Sequence, residues 1–368
     1  MISLRSALLG LCIASVGTTA FAQLKIGQTT GVTGAVAATV KESSLGAQLY
    51  LDATNAKGGV NGEKIELITL DDKFDTKLAA ANARELIEQR GVLALFMTRG
   101  TPHTEGIIPI LDQHGVPLVG PSTGATVLHQ PLKKHVFNVR ATYQREAERA
   151  ITHLAATGVT RIGVVHVDDS FGADGLEGTQ KGLAAAKLTA IAISKFDRSK
   201  PDFSQTAPAM AKLSPQAVMV IGSGTAVVEA IRALKAAGSG AQFVTLSNNA
   251  SSGFVKLLGD DARGVIVSQV LPQSQNYALV QEAATLAKSR DILEVSPAML
   301  EGFASAKVLV EALRRAGPKP TREKLQAALE NLGKFDLGGL TLNFSATDHT
   351  GLDFADLSII SASGKFRR

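Results

Sequence analysis

Strand-like and helix-like stretches alternate along almost the whole chain, which predicts an α/β fold of two lobes, each a mostly parallel sheet flanked by helices. Three observations support this. Short apolar runs, of a length that suits buried strands, are repeatedly followed by longer stretches of helical period. The alternation pauses near Arg140 and then resumes, so there are two successive sets of βα units, and Arg140 marks the first passage between them. The chain has 368 residues, which fits two domains of ordinary size once a leader is removed.

That leader is Met1–Ala22. Arg5 supplies a positive start, Ala7–Val16 an apolar core and Ala20-Phe21-Ala22 a small-residue cleavage site. The exported chain is expected to begin at Gln23. The apolar core is too short to span a membrane. Cys12, the only cysteine, lies inside it. Leu9-Gly10-Leu11-Cys12 hints at a lipoprotein signal, but Leu11 is large where a small residue would precede the cysteine, and the cleavage site lies further on. The chain from Gln23 then has neither disulfides nor cysteine metal sites.

The elements follow in order. Leu24–Gln28 is a strand, Gly31–Gly34 a loop and Lys41–Asn55 a helix, closed by a glycine-rich turn at Gly58–Gly62. Lys64–Leu70 is a strand and Thr76–Arg90 a helix. Val136–Arg140 is short and extended, and Gln144–Thr157 is a helix. The second set runs Arg161–Val167 strand, Gly172–Lys187 helix, Thr189–Lys195 strand and Phe203–Leu213 helix. It continues with Ala217–Ile221 strand, Thr225–Ala237 helix, and strands at Gln242–Leu246 and Val265–Val270. Helices Tyr277–Ser289, Pro297–Ala316 and Thr321–Leu332 come next, and strands near Leu340–Asn343 and Phe354–Ser361 finish the chain.

The organising stretch is Val92–Ala125. Val92–Met97 reads as a buried strand broken by Thr98-Arg99-Gly100. Thr101 stands where an N-cap belongs, with Pro102 at the first helical position. That helix runs to about Gln113, with Gly115 ending it. Val116–Val119 is the next strand and stops at Gly120-Pro121-Ser122-Thr123-Gly124. In a parallel sheet the two strand-end turns lie side by side at the carboxyl edge, where open α/β folds bind ligands. Free backbone N–H groups and a helix N-terminus there suit a carboxylate.

Composition excludes several classes. A formal charge of +5 is mild for this length, and acids and bases alternate along helices, as in Arg145-Glu146-Ala147-Glu148-Arg149, which reads as a solvated face. No basic run is interleaved with aromatics, so no nucleic-acid partner is expected. The histidines are scattered without metal-ligand spacing within a helix, and neither metal nor cofactor is expected.

Several landmarks carry a resemblance. They are IGQTTGVTG after the leader, NAKGGVNGEKIEL, FMTRGTPHTEGIIPILDQHGVPLVGPSTGA, FNVRATYQREAERAITHL, VDDSFGADG and LEGFASAKVLVEALRRAG. In this order they resemble the periplasmic solute-binding proteins of ABC transporters, in the branched-chain amino-acid-binding (type I, Leu/Ile/Val-binding-like) group. The resemblance covers essentially the whole chain from Gln23. It implies a type I clamshell with three interlobe crossovers: lobe one at 23–141 plus 273–350, lobe two at 142–272 plus 351–368. It further implies a periplasmic, non-enzymatic monomer that captures a solute between lobes and docks on an inner-membrane permease.

Each candidate site residue has a plain alternative. Gly100 and Thr101 would hold a ligand carboxylate, or simply cap a helix. Ser122, Thr123 and Gly124 form the second turn, where by similarity Ser122 and Gly124 offer backbone and hydroxyl groups to the ligand head; the alternative is a loop held by local hydroxyl bonds. Tyr143 and Phe171 are lid aromatics or core. Asp168 or Asp169 would meet a ligand amine, or favour a helix N-terminus. Ser223 lies in the strand-end turn Ile221–Thr225, and Ser247 and Asn248 end the next strand. Amino-acid binders of this group place an acidic residue near Ser247. Here Ser247-Asn248-Asn249 is neutral, and a buried ammonium without a counter-charge is costly. Either Asp168 or Asp169 substitutes, or the ligand lacks an amine, which keeps aromatic and keto acids open beside amino acids.

Rival readings remain. Gly120-x-Ser122-x-Gly124 matches a hydrolase nucleophile elbow, with Asp336 or Asp348 and His349 completing the chain order. Against it, Val127 and Pro131 break the helix that an elbow requires. Gly222-x-Gly224 lacks the third glycine of a dinucleotide fingerprint. A ligand-sensing module serving a separate receptor is the third reading.

Overall fold

The computed structural model describes residues 23–368, so the leader lies outside the described residues. The first sheet has five parallel strands: β1 (Gln23–Thr30), β2 (Lys64–Asp71), β3 (Ala94–Phe96), β4 (Leu118–Val119) and β5 (Val136–Phe137), in the spatial order β2-β1-β3-β4-β5. Helices α1 (Ala37–Ala56), α2 (Thr76–Arg84) and α3 (Thr101–His114) connect them. Side chains alternate across the sheet, as the pleat requires. Ala94, Phe96, Val119 and Phe137 enter one core, while Leu95, Leu118 and Val136 enter another with Ile107 and Leu111. Both faces are covered, which is why these strands read as unbroken apolar runs.

The second sheet is assembled from the next stretch. α4 (Tyr143–Ala156) leads to β6 (Ile162–Val167), α5 (Ser170–Ala185), β7 (Ala192–Phe196), α6 (Thr206–Lys212) and β8 (Ala217–Ile221). Then come α7 (Thr225–Ala236), β9 (Gln242–Thr245), α8 (Ser252–Leu258) and β10 (Ile266–Gln269). The chain then supplies α9 (Ala278–Lys288), α10 (Pro297–Ala316), α11 (Arg322–Glu330) and the hairpin β11 (Gly333–Asp336) and β12 (Thr341–Phe344). Leu279, Phe303, Leu325 and Leu342 from this return stretch share a core with Ile26 and Phe96. Last, β13 (Asp356–Ile360) pairs antiparallel with β10, and β14 (Phe366–Arg367) pairs antiparallel with β13. The second sheet thus runs β14-β13-β10-β9-β8-β6-β7. The backbone passes between the lobes after β5, after β10 and before β13.

Where the structure departs from the sequence reading, the reason is local. Thr101 is not an N-cap: Gly100 is, at φ 91°, and a Cβ there would lie 2.6 Å from His103 Nδ1. α1 starts at Ala37 rather than Lys41, because Val36 precedes it with no capping side chain to mark the start. The predicted Thr76–Arg90 helix stays α-helical only to Arg84 and continues as a π turn over Glu85–Gln89. β7 begins at Ala192, not Thr189. Helix α8 was not anticipated, although Ser251 caps it by accepting from Phe254 N at 3.0 Å.

Helices α1 and α10 meet through glycines. A Cβ on Gly302 would stand 1.8 Å from the Ser43 carbonyl oxygen, and one on Gly46 would stand 1.8 Å from that of Met299. Backbone cannot yield as a flexible side chain can, so added bulk costs about 1–3 kcal/mol or more. Gly302→Ala is therefore expected to lower unfolding free energy by at least about 2 kcal/mol in urea titration, despite alanine's better helix propensity.

Candidate functional site

The carboxyl ends of β3 and β4 are tied by a parallel bridge between Arg99 and Ser122, with Ser122 N donating to Thr98 O at 2.8 Å. Thr101 and Thr123 share a hydroxyl hydrogen bond of 2.7 Å, and both are buried. Gly124 accepts at 2.7 Å from Tyr143 N, at the first crossover; a Cβ there would lie 2.5 Å from Ala141 O. The two turns predicted to sit side by side do so.

Four buried charges surround these turns. Arg99 Nη1 donates to Ser122 Oγ at 3.0 Å, and its Nη2 donates to Asn248 O in the opposite lobe at 2.5 Å. Ser122 Oγ in turn donates to Glu301 Oε1 at 3.0 Å. Arg140 contacts Glu146, donates to Ser247 Oγ at 2.6 Å, and lies 3.5 Å from Glu301 Oε1. Glu146 Oε2 accepts from Ser247 N at 3.0 Å and from Ser268 Oγ. Arg140 thus has carboxylate partners, whereas among the described residues Arg99 has none within ion-pair distance. Burial pulls the Arg99 guanidinium below its usual pKa; burial also works against Arg140, but Glu146 and Glu301 raise it above its usual value.

The remaining sequence candidates fall around this cluster. Tyr143 and Phe171 are buried and face each other at 4.7 Å between ring centroids, with Arg140 over the Tyr143 ring at 4.7 Å. Asn248 Nδ2 donates to Gly222 O at 2.9 Å and to Ser223 Oγ at 3.0 Å, which fixes both strand-end turns of the second lobe. Asp169 is engaged elsewhere. It caps α5 by accepting from Phe171 N at 3.0 Å and Gly172 N at 3.1 Å, and it pairs with Arg198. Asp168 pairs at the surface with Lys195 at 2.8 Å. Neither carboxylate is left free for a ligand amine.

The lobes are closed on one another. Glu42 accepts from Ser252 N and Gly253 N, at 3.0 and 2.7 Å, across the junction of α1 and α8. Thr39 and Ser251 share a hydroxyl hydrogen bond at 2.9 Å. Arg198 lies over the Phe74 ring at 4.9 Å. A Cβ on Gly224 would meet Ala35 O at 1.8 Å, so this glycine serves lobe contact rather than a pyrophosphate.

The hydrolase constellation is not assembled. The Ser122 hydroxyl bonds Arg99 and Glu301, while the His349 ring stacks on Phe137 at 4.0 Å and its Nδ1 faces the carbonyls of Lys133 and Val136. Asp336 accepts from Gly338 N and Gly339 N in the β11–β12 turn.

Sequence reading missed Arg99, Arg140, Glu146 and Glu301. Glu146 was taken as part of a solvated face, yet it is fully buried while Arg145 and Arg149 are exposed. The signal was its spacing: it shares the helix face of Tyr143, Ala147, Ala150 and Leu154. Glu301 was the lone charge in the apolar run from Pro297 to Ala306. Removing one member of a buried ion pair strands the other and costs about 3–5 kcal/mol. Glu146→Ala should lose that much in denaturant unfolding, and Arg145→Ala, exposed on the same helix, should lose under about 0.5 kcal/mol.

Comparison with known proteins agrees with this architecture. The family described as "Periplasmic binding protein" matches residues 23–356. The solved structure of a substrate-binding periplasmic protein from Ralstonia solanacearum superposes with a TM-score of 0.86 at 30% identity, covering 93% of this chain and 99% of that one. The Leu/Ile/Val-binding protein of Citrobacter freundii is 24% identical over 266 residues, 72% of each chain. Leu/Ile/Val-binding protein homolog 8 of Brucella abortus (strain 2308) is 27% identical over 206 residues, 53% of this chain; the match spans about half, 51%, of that relative's length. With two lobes, sheets flanked on both faces and a polar junction at their strand ends, the chain belongs to the periplasmic binding protein family.

Proposed function

We propose that this protein captures a small carboxylate-bearing solute between its lobes in the periplasm and delivers it to a membrane permease of an ABC importer, without catalysing a reaction. The observation that carries the reading is the Arg99 guanidinium. It is buried at the junction, bonded to Ser122 and to the opposite lobe, and has no carboxylate partner among the described residues. A buried cation is costly unless paired, and a planar guanidinium is well suited to bidentate pairing with a carboxylate. The Thr101–Thr123 pair and Gly100 line the same turns, while Tyr143 and Phe171 belong to the core of the second lobe. Relatives named for leucine, isoleucine and valine binding bring amino acids within the solute class. The Ser247–Asn249 turn, which lacks an acid, keeps aromatic and keto acids within it too.

The test is thermal unfolding of protein stripped by unfolding and refolding, against aliphatic amino acids, matched keto acids, aromatic carboxylates and their amides. A ligand at about 1,000 times its dissociation constant adds about 4 kcal/mol. Carboxylates should stabilise and their amides should not. Arg99→Gln should weaken the best of them by about 2–3 kcal/mol, and Ser122→Ala by about 1–3 kcal/mol. Equal stabilisation by amides, or unchanged affinity in Arg99→Gln, would overturn the reading.

A further inference from the structure

The first turn of α3 is covered from the second lobe. Ser170, which opens α5, donates its hydroxyl to Glu105 of α3, and Arg198 lies over the Phe74 ring at 4.9 Å. Under that cover is His103. Its ring stacks on Phe74, with centroids 4.3 Å apart and planes at 14°, and the residue is 1% exposed. Neither ring nitrogen has a hydrogen-bond partner among the described residues. Phe74 thus touches His103 in its own lobe and Arg198 in the other.

Such a site accepts the neutral imidazole better than the imidazolium. Burial strips water from the charged form, and Arg198 adds a like charge. Burial pushes His103 down to about 4; Arg198 adds to this, and the nearby Phe74 backbone, Asp169 and Asp75 offset only part of it. The acids around the ring are engaged elsewhere. Asp72 accepts from Thr29 Oγ1 and Phe74 N, Asp75 caps α2, Asp169 caps α5 and pairs with Arg198, and Glu105 accepts from Ser170. Arg99, in the turn before α3, is a further buried cation. Opening the lobes withdraws Arg198 and α5 and admits water, so it raises the proton affinity of His103. The closed arrangement then binds fewer protons than the open one. Its advantage is complete above histidine's ordinary 6.5 and is lost as the pH falls from there toward 4.

Resting on the capture reading above, we propose that His103 makes closure acid-sensitive: its protonation opens the lobes and releases the solute. Asp72 titrates in the same range, pushed up to about 6 by burial. Its partners Thr29 and Phe74 lie in its own lobe, so its proton is held alike in the open and closed arrangements.

The experiment is calorimetric titration of the refolded protein at pH 7.5 and 5.5 with L-leucine, 4-methyl-2-oxopentanoate and benzoate, each ionised at its carboxylate at both pH values. Full return of His103 to 6.5 on opening would weaken binding about tenfold at pH 5.5, so the best binder should weaken about three- to tenfold. His103→Phe keeps a ring on Phe74 but carries no proton, and in it the change should fall below about twofold. His103→Gln, also uncharged, should match it. Unchanged or tighter binding at pH 5.5 in the wild type would overturn the proposal without any variant. So would a change of wild-type size in both variants, which would place the effect on Asp72 or another group. If none of these solutes and none of the wider panel binds at pH 7.5, the capture reading falls but the switch is still read. In stripped protein spin-labelled at Lys41→Cys and Lys256→Cys, the short-distance population should shrink from pH 7.5 to 5.5, and an unchanged population would overturn the switch.

Discussion

Everything at the junction of the lobes depends on burying two guanidinium groups and two carboxylates in one connected hydrogen-bonded network. Such groups are tolerated only where hydrogen bonds replace the water they lose. The backbone of both lobes is arranged to supply those bonds. Ser247 N and Ser268 Oγ hold Glu146, Ser247 Oγ holds Arg140, and Asn248 O holds Arg99. The residues that satisfy the first crossover's charges therefore belong largely to the second lobe. The parallel sheets bring their strand ends to this point, as open α/β folds generally do. Strands β3 and β4, consecutive in the chain and paired in the sheet, place Ser122 beside Arg99.

Closure follows from the same contacts. Arg99 bonds across the junction, Glu42 covers the start of α8, and Arg198 covers Phe74. The Glu42 and Arg198 contacts are partly exposed and individually contribute little, whereas the Arg99 bond is buried. Together they line the rim of a junction whose centre is charged. A ligand can shift the lobes only by binding one arrangement better than another. A group that engages Arg99 and Ser122 on one side and the Ser247–Asn249 turn on the other has that differential. Passage of the backbone between lobes at three points gives short connections that can absorb a rotation.

Much of the fold was legible because buried parallel strands and amphipathic helices leave strong periodic signals. The apolar run at Val92–Met97 and the glycine ending α3 at Gly115 were both readable, and Gly115 adopts φ 60° as such an ending requires. Two short elements were missed, α8 with seven residues and β14 with two. The site was half legible. Hydroxyl-rich turns after strands announce themselves, so the adjacency of the Gly100-Thr101 and Ser122-Thr123 turns was readable. Buried charges do not, because Arg99 looked like a strand breaker and Glu146 sat in a run of alternating charge. Thr101 was misassigned as a cap because a glycine at positive φ opens α3 just as well. Asp169 failed as an amine partner for an ordinary reason: the first N–H groups of α5 and Arg198 already use it.

The central claim is that a solute held at Arg99 joins the two lobes. The most direct measurement is the distance between spin labels placed at Lys41→Cys on α1 and Lys256→Cys on α8, both exposed, in the otherwise cysteine-free chain from Gln23. Pulsed electron resonance would be recorded on stripped protein before and after saturation with the best-binding carboxylate. The account predicts a broad distribution reaching long distances that collapses to one short distance on binding, with far more solute needed in Arg99→Gln. The same distribution before and after saturation would show that binding and closure are separate events, and would contradict it.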